Sequence, residues 1–148
     1  MKKIAIGCDP NAKGLKEFVI KGLENLGYEC HDYGSDDPIY ANVAFQVAEA
    51  VANGLHDRGI LLCGTGIGMC IAANKVPGVY AAACADAYSA ERSRKSNNAN
   101  VMTLGAGVVG PELAMTLVKI WLESEYTPGG RSDAKVKRIE AYAKEHQK

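Results

Sequence analysis

Apolar and polar positions along the chain follow two rhythms: short continuous apolar runs, and longer stretches with helical spacing. Residues 3–8 (Lys-Ile-Ala-Ile-Gly-Cys) make a run of strand length. Over 12–26 the apolar positions Leu15, Phe18, Val19, Leu23 and Leu26 recur every three or four residues, and Gly27 closes the segment as a helix stop. A weaker strand over 28–33 leads into loop chemistry at 34–38 (Gly-Ser-Asp-Asp-Pro). The pattern then predicts a helix over 40–53 ended by Gly54, and a strand over 58–63 around Ile60, Leu61 and Leu62. A short helix over 66–75, a strand over 79–84 and a helix over 86–95 capped by Asp86 follow. The chain ends with a strand over 101–104, a helix over 111–124 opened by Pro111, and a charged helix over 132–147.

Strands alternating with helices imply an α/β fold: a five-stranded parallel sheet covered on both faces, a Rossmann-like three-layer sandwich. Right-handed crossovers predict the flavodoxin-like strand order 2-1-3-4-5. The chain reads as a single domain over 1–148, with 127–148 as a C-terminal extension. Ligands of such sheets sit beyond the carboxyl ends of the strands. That singles out Cys8 and Asp9, the 33–40 loop, the 63–68 turn and Asp86.

Composition narrows the classes. Hydrophobic residues at 47% and charged residues at 23% are ordinary for a folded globular chain. Lys+Arg and Asp+Glu are 17 each, and this balance argues against electrostatic nucleic-acid binding. No apolar run approaches the roughly 18–20 residues of a membrane span, and the N-terminal lysines precede too short an apolar stretch for a secretory signal. Cysteines at 8, 30, 63, 70 and 84 are odd in number and form no CxxC pair. They predict free thiols in a reducing cytoplasm, with neither disulfides nor a zinc site.

The stretch Cys63-Gly64-Thr65-Gly66-Ile67-Gly68 carries the clearest chemical signal. A thiol at a strand end, before a glycine turn into a helix, stands beside free backbone N–H groups that can hold an anion. The same field lowers a thiol pKa and makes a thiolate base or nucleophile available. The plainer alternative is a tight turn with Cys63 as a small core residue. As a dinucleotide fingerprint the motif is poor: it follows the third strand, and no acidic residue closes the next one. Asp9 can accept from sugar hydroxyls or cap the following helix. Residues 96–100 (Ser-Asn-Asn-Ala-Asn) are ordinary turn residues. Arg131 and Lys135, one helical turn apart, can grip a phosphate or simply face water. His31, His56 and His146 have no evident catalytic partner, and Cys8, Cys30, Cys70 and Cys84 look like core thiols.

Together, Gly7-Cys8-Asp9, Cys63-Gly-Thr-Gly-Ile-Gly, Ile71-Ala-Ala-Asn-Lys-Val-Pro-Gly, Ser89-Ala with Asn97-Asn98-Ala-Asn, Val108-Val-Gly and Gly129-Gly-Arg131 resemble the ribose-5-phosphate isomerase B / galactose-6-phosphate isomerase family. The resemblance spans nearly the whole chain. It implies a cytoplasmic aldose–ketose isomerase of sugar phosphates, a dimer or tetramer that needs no metal or organic cofactor. It implies Cys63 as the base that shuttles a proton through a cis-enediolate. The turn Gly64–Gly68, with Thr65, Gly66 and Ile67, is the implied anion hole. Asp9, Tyr40 and Asn97 are implied contacts to substrate hydroxyls, and Arg131 and Lys135 contacts to phosphate. The last helix is implied to reach a neighbouring subunit, so that Arg131 and Lys135 serve the partner's site.

Four positions depart from the family pattern. Pro10 stands where a phosphate-contacting histidine is usual, Gly107 where an arginine is usual, and Lys135 keeps charge without the bidentate fork. Ser96 replaces the histidine that opens a furanose ring, and a serine hydroxyl is a poor acid–base near neutral pH. A tetrose 4-phosphate cannot close a five-membered ring, because its C4 hydroxyl is esterified. The sequence also resembles the D-erythrulose 4-phosphate branch at Tyr40-Ala-Asn, Ser96-Asn-Asn-Ala and Gly130-Arg-Ser. Ribose 5-phosphate, another pentose or hexose phosphate, a non-catalytic subunit and a nucleotide-binding module are the competing readings. The intact Cys63 turn argues against the non-catalytic subunit.

Overall fold

The computed structural model describes residues 2–147. Its strands are β1 (Lys3–Cys8), β2 (Glu29–Asp32), β3 (Arg58–Cys63), β4 (Ala81–Ala83) and β5 (Val101–Gly105). Its helices are α1 (Lys13–Asn25), α2 (Tyr40–Ala52), α3 (Ile67–Ala73), α4 (Ala87–Lys95), α5 (Pro111–Glu123) and α6 (Asp133–His146), with one 3-10 turn at Pro10–Ala12. All strand pairings are parallel. The fold is the expected Rossmann-like sandwich.

The strand order is β2-β1-β3-β5-β4, not the expected 2-1-3-4-5. Burial explains the exchange. Every residue of β5 is buried, whereas β4 is three alanines, none of them fully buried. A strand covered on both faces belongs inside the sheet, and a short, weakly apolar one suits the edge. Asn74 helps finish that edge: its side-chain amide donates to the Ala81 carbonyl at 3.0 Å and accepts from the Ala81 N–H at 2.7 Å.

The steps β1 to β2 and β4 to β5 run one way across the sheet, and β2 to β3 and β3 to β4 the other. Right-handed crossovers then send α1 and α4 to one face and α2 and α3 to the opposite face. The core follows this division. Leu15, Val19, Leu117 and Trp121 pack with Ile4, Ile6, Ile60, Leu62 and Leu104 on one side. Val43, Val47, Met69 and Ala73 pack with Ala5, Leu61 and Cys63 on the other. On that second face a Cβ on Gly59 would lie 2.8 Å from Val47 and 3.1 Å from Val51, so glycine lets α2 settle close to the sheet.

β3 therefore occupies a special place. Its chain leaves toward α3, while its neighbours β1 and β5 send theirs to the opposite face. A crevice opens on each side of the carboxyl end of β3, where ligands of doubly wound sheets bind, and Cys63 ends that strand.

Candidate active site

Cys63 points to the α2/α3 face and is buried. The next residues turn back sharply, with Gly66 at φ 81°, a left-handed conformation that glycine adopts without strain. The Gly66 N–H donates to the Cys63 Sγ at 3.1 Å, and the Ile67 N–H donates to the Thr65 Oγ1 at 3.1 Å. The N–H groups of Gly64, Thr65 and Gly68 have no acceptor among the described residues. Two of the N–H groups of this turn, those of Gly66 and Ile67, are thus already engaged within it.

The backbone carbonyls of this turn are held from behind. Ala106 N–H donates to Cys63 O at 2.7 Å, and Gly107 N–H to Gly64 O at 2.9 Å. The buried Thr103 hydroxyl donates to Gly66 O at 2.7 Å. A Cβ on Gly105 would meet the Thr65 backbone at 2.6 Å, so that glycine lets strand and turn touch. Each carbonyl fixed on the β5 side orients its peptide, so the free N–H groups of Gly64 and Thr65 face away from β5. Gly107, which the sequence marks only as a missing arginine, is one of these staples.

Asp9 and Tyr40 lie at the same end of the sheet. The Asp9 N–H donates to Leu62 O at 3.1 Å, which seats Asp9 beside the end of β3. Its Oδ1 accepts from the Asn11 N–H at 2.9 Å and so caps the 3-10 turn, not the long helix, which starts at Lys13. The Tyr40 ring and hydroxyl, at the start of α2, fill the space a Cβ on Gly68 would need.

Asn97, Arg131 and Lys135 are elsewhere. With Arg92, Lys95 and Ser96 they line a cavity of about 480 Å³ that holds neither Cys63, Thr65, Asp9 nor Tyr40. α4 runs back along the sheet and ends at Lys95, next to the amino ends of the strands. Asn100, three residues after Asn97, accepts from the N–H of Gly59 at the start of β3. Gly59 pairs with Val101 and Cys63 with Gly105, so the two levels are about 13 Å apart at ~3.3 Å per residue. Within one chain the expected site is split into two halves, Cys63 on the α2/α3 face and the Asn97 cavity beside α4, which packs on the opposite face. Arg131 precedes α6 and is not in its first turn, yet shares the cavity with Lys135. The Asn97 Nδ2 donates to Arg92 O at 3.0 Å, and the Arg92 Nη1 to the Ser96 Oγ at 3.2 Å.

Two residues of this arrangement escape a reading of the sequence. Thr103 is the lone hydroxyl in an apolar strand, a polar residue at an inward position, and that alternation is its only signal. Arg92 sits in a charged helical stretch where nothing marks one cation from the next. His31 and His56 form a separate cluster with Tyr33: the Tyr33 hydroxyl and His56 Nε2 are 2.9 Å apart, and His31 packs on Tyr33. No described residues group three potential metal ligands, and no helix among them is long and apolar enough to cross a membrane.

The chain matches the family model described as Ribose/Galactose Isomerase over residues 4–139. It is 52% identical to a D-erythrulose-4-phosphate isomerase of Pectobacterium atrosepticum, over 99% of its own length and 97% of the relative's. It is 51% identical to a Ribose-5-P isomerase B of Listeria innocua, over 93% and 95% of the two chains. The solved ribose-5-phosphate isomerase B of Clostridium thermocellum superposes with a TM-score of 0.92 at 43% identity, covering 98% of this chain and 99% of that one. Likeness of this extent, in sequence and in the path of the backbone alike, means that the chain belongs to the ribose/galactose isomerase family and is a sugar-phosphate isomerase.

Proposed function

We propose that the substrate is D-erythrulose 4-phosphate, interconverted with D-erythrose 4-phosphate by proton transfer between C1 and C2. Cys63 is the base: its thiolate takes the C1 proton of the ketose and returns it to C2 of the resulting cis-enediolate, while the hydroxyl proton passes from O1 to O2. The free N–H groups of Gly64, Thr65 and Gly68 face the oxyanion that develops at O2. Preorganised donors at such a place are commonly worth about 3–4 kcal/mol each. Asp9, Tyr40 and Asn97 bind substrate hydroxyls, and Arg131 and Lys135 bind the phosphate. The step requires neither metal nor organic cofactor, and five free thiols suit a cytoplasmic enzyme.

The observation that carries the choice of substrate is Ser96. Its hydroxyl accepts from the Arg92 guanidinium, so it lies in a cationic setting and offers no imidazole to protonate a ring oxygen. An acyclic tetrose phosphate needs no ring opening. The relative at 52% bears the tetrose name and the one at 51% the pentose name. That near-equality supports a ribose 5-phosphate reading as the alternative.

The site is composite, shared by two copies of the chain. Asn97, Arg131 and Lys135 share no cavity with Cys63 within one subunit, because the sheet lies between α4 and the Cys63 face. Exposed Ile67 and Ile71 form an apolar stripe on α3 directly after the Cys63 turn, a surface suited to a second copy. A homodimer, in which the segment from 127 onward reaches the neighbour, closes the site.

An isomerase assay on C4, C5 and C6 aldose and ketose phosphates tests the reading. The expected result is a higher kcat/KM for D-erythrulose 4-phosphate than for ribose 5-phosphate. Cys63→Ala should fold normally and lose activity by several orders of magnitude, while Cys70→Ala and Cys84→Ala stay active. A wild-type preference for ribose 5-phosphate refutes the tetrose assignment, and a fully active Cys63→Ala refutes the base.

A further inference from the structure

The cavity of about 480 Å³ beside Asn97 is lined by four cations, Arg92, Lys95, Arg131 and Lys135, and by no carboxylate. In a chain whose charges cancel, such a gathering selects a compact dianion. The cations are not equally free. Lys95 leans on Glu91 at 3.5 Å, one helical turn away on α4. Arg92 meets the same Glu91 at 3.2 Å through Nη2 and Ser96 at 3.2 Å through Nη1. Its Nε is shut from solvent and has no partner among the described residues. Buried N–H donors are nearly always satisfied, so an orphan in the wall of a cationic cavity points to an acceptor that arrives with a ligand.

We infer that Arg92 is a phosphate-binding residue of this enzyme and sets the length of sugar it accepts. The inference rests on the proposed sugar-phosphate site and names a residue that site lacks. Arg131 is the one guanidinium among its proposed phosphate ligands. Arg92 adds a second planar fork, which Lys135 does not offer. Its position also matters. Arg92, Ser96 and Asn97 form one unit at the end of α4, joined by the Ser96 and Asn97 hydrogen bonds to Arg92. A phosphate held by Arg92 therefore lies against Ser96 and beside the side chain proposed to bind a sugar hydroxyl. In a 4-phosphate the phosphate is one carbon nearer to the reacting C1 and C2 than in a 5-phosphate. Arg92 draws the phosphate inward by filling, with charge, the space next to position 96 that ring-opening chemistry would need.

The test uses the intact enzyme and two probes, the sugar phosphates and inorganic phosphate as a competitive inhibitor. Arg92→Met should raise both the KM for D-erythrulose 4-phosphate and the inhibition constant of inorganic phosphate by about tenfold or more, the loss of a charge-assisted hydrogen bond. kcat should change much less. Arg92→Lys should recover part of the loss and guards against misfolding in the first variant. The double variant Arg92→Met/Ser96→His should shift the kcat/KM ratio toward ribose 5-phosphate. If inorganic phosphate inhibits Arg92→Met as well as wild type, Arg92 is not a phosphate ligand and the isomerase reading stands. If Cys63→Ala keeps activity, the mechanism fails, and the inorganic-phosphate arm still decides Arg92.

Discussion

Burial pushes the Cys8 and Cys30 thiols up to about 11 and raises those of Cys70 and Cys84 as well. A thiol whose pKa is raised stays protonated, and so poorly nucleophilic, until the pH climbs toward that value. Near neutral pH protonation protects these four, and packing adds to it for Cys8 and Cys84, which are buried. Iodoacetamide at neutral pH should modify Cys63 first, with activity lost in step with that one adduct, and excess inorganic phosphate should slow the loss. Labelling of Cys8 and Cys30 should appear only as the pH approaches 11. Peptide mapping by mass spectrometry checks the order. Inactivation that tracks another cysteine would displace Cys63 from its role. At this scale the sequence is uneven. A cysteine before Gly-Thr-Gly-Ile-Gly is conspicuous because the glycines declare a special backbone. Arg92 is invisible because its meaning depends on which way α4 is turned, and Glu-Arg-Ser-Arg-Lys reads as a solvated face.

β5 acts as the template of the Cys63–Gly68 turn. Thr103 holds Gly66 O, the residues after the strand hold Cys63 O and Gly64 O, and Gly105 leaves room for Thr65. Thr103 is thus a positioning residue that acts through the turn. Thr103→Val removes the hydroxyl while keeping the shape, and leaves the Gly66 carbonyl only the helical bond from the Cys70 N–H at 3.2 Å. It should lower kcat by about tenfold or more, since small misplacements of catalytic groups are costly. KM should change little, and Thr103→Ser should restore most of kcat. An active Thr103→Val beside an impaired Thr103→Ser would mean that the methyl packing matters and the hydrogen bond does not. This arrangement is also why the strand order matters: only with β5 beside β3 can it reach the turn. The elements themselves follow from the two periodicities of the sequence, with ends that shift by a residue or two, as in β4, which contracts to Ala81–Ala83. The exchange of β4 and β5 does not follow, because consecutive strands are usually neighbours. The hint was present in composition alone: three alanines make a poor central strand, and Val-Met-Thr-Leu-Gly a good one.

For the whole molecule, the separation of the two half-sites is the fact that no pattern along the chain reveals. Asn97 and Cys63 read equally well as members of one pocket until the sheet is built between them. A composite dimer makes a prediction that a site within one chain cannot. Cys63→Ala and Arg131→Met should each be inactive alone, one lacking the base and the other a phosphate ligand. In a mixed dimer, the site that takes Cys63 from the Arg131→Met chain takes Arg131 from the Cys63→Ala chain, and is whole. The other site carries both defects. Random pairing of equal amounts makes half the dimers mixed, each with one of two sites intact, so activity should return to about a quarter of wild type under the two-fold symmetry of such an assembly. The experiment needs coexpression with two affinity tags, or denaturation and joint refolding, followed by assay of the doubly tagged fraction, where about half of wild-type activity is expected. A mixture as dead as its parents would mean that each site is built from a single chain. The residues of the two half-sites would then have to meet by a rearrangement across the sheet at β3. Its buried, fully paired backbone makes that far costlier than recruiting a second copy.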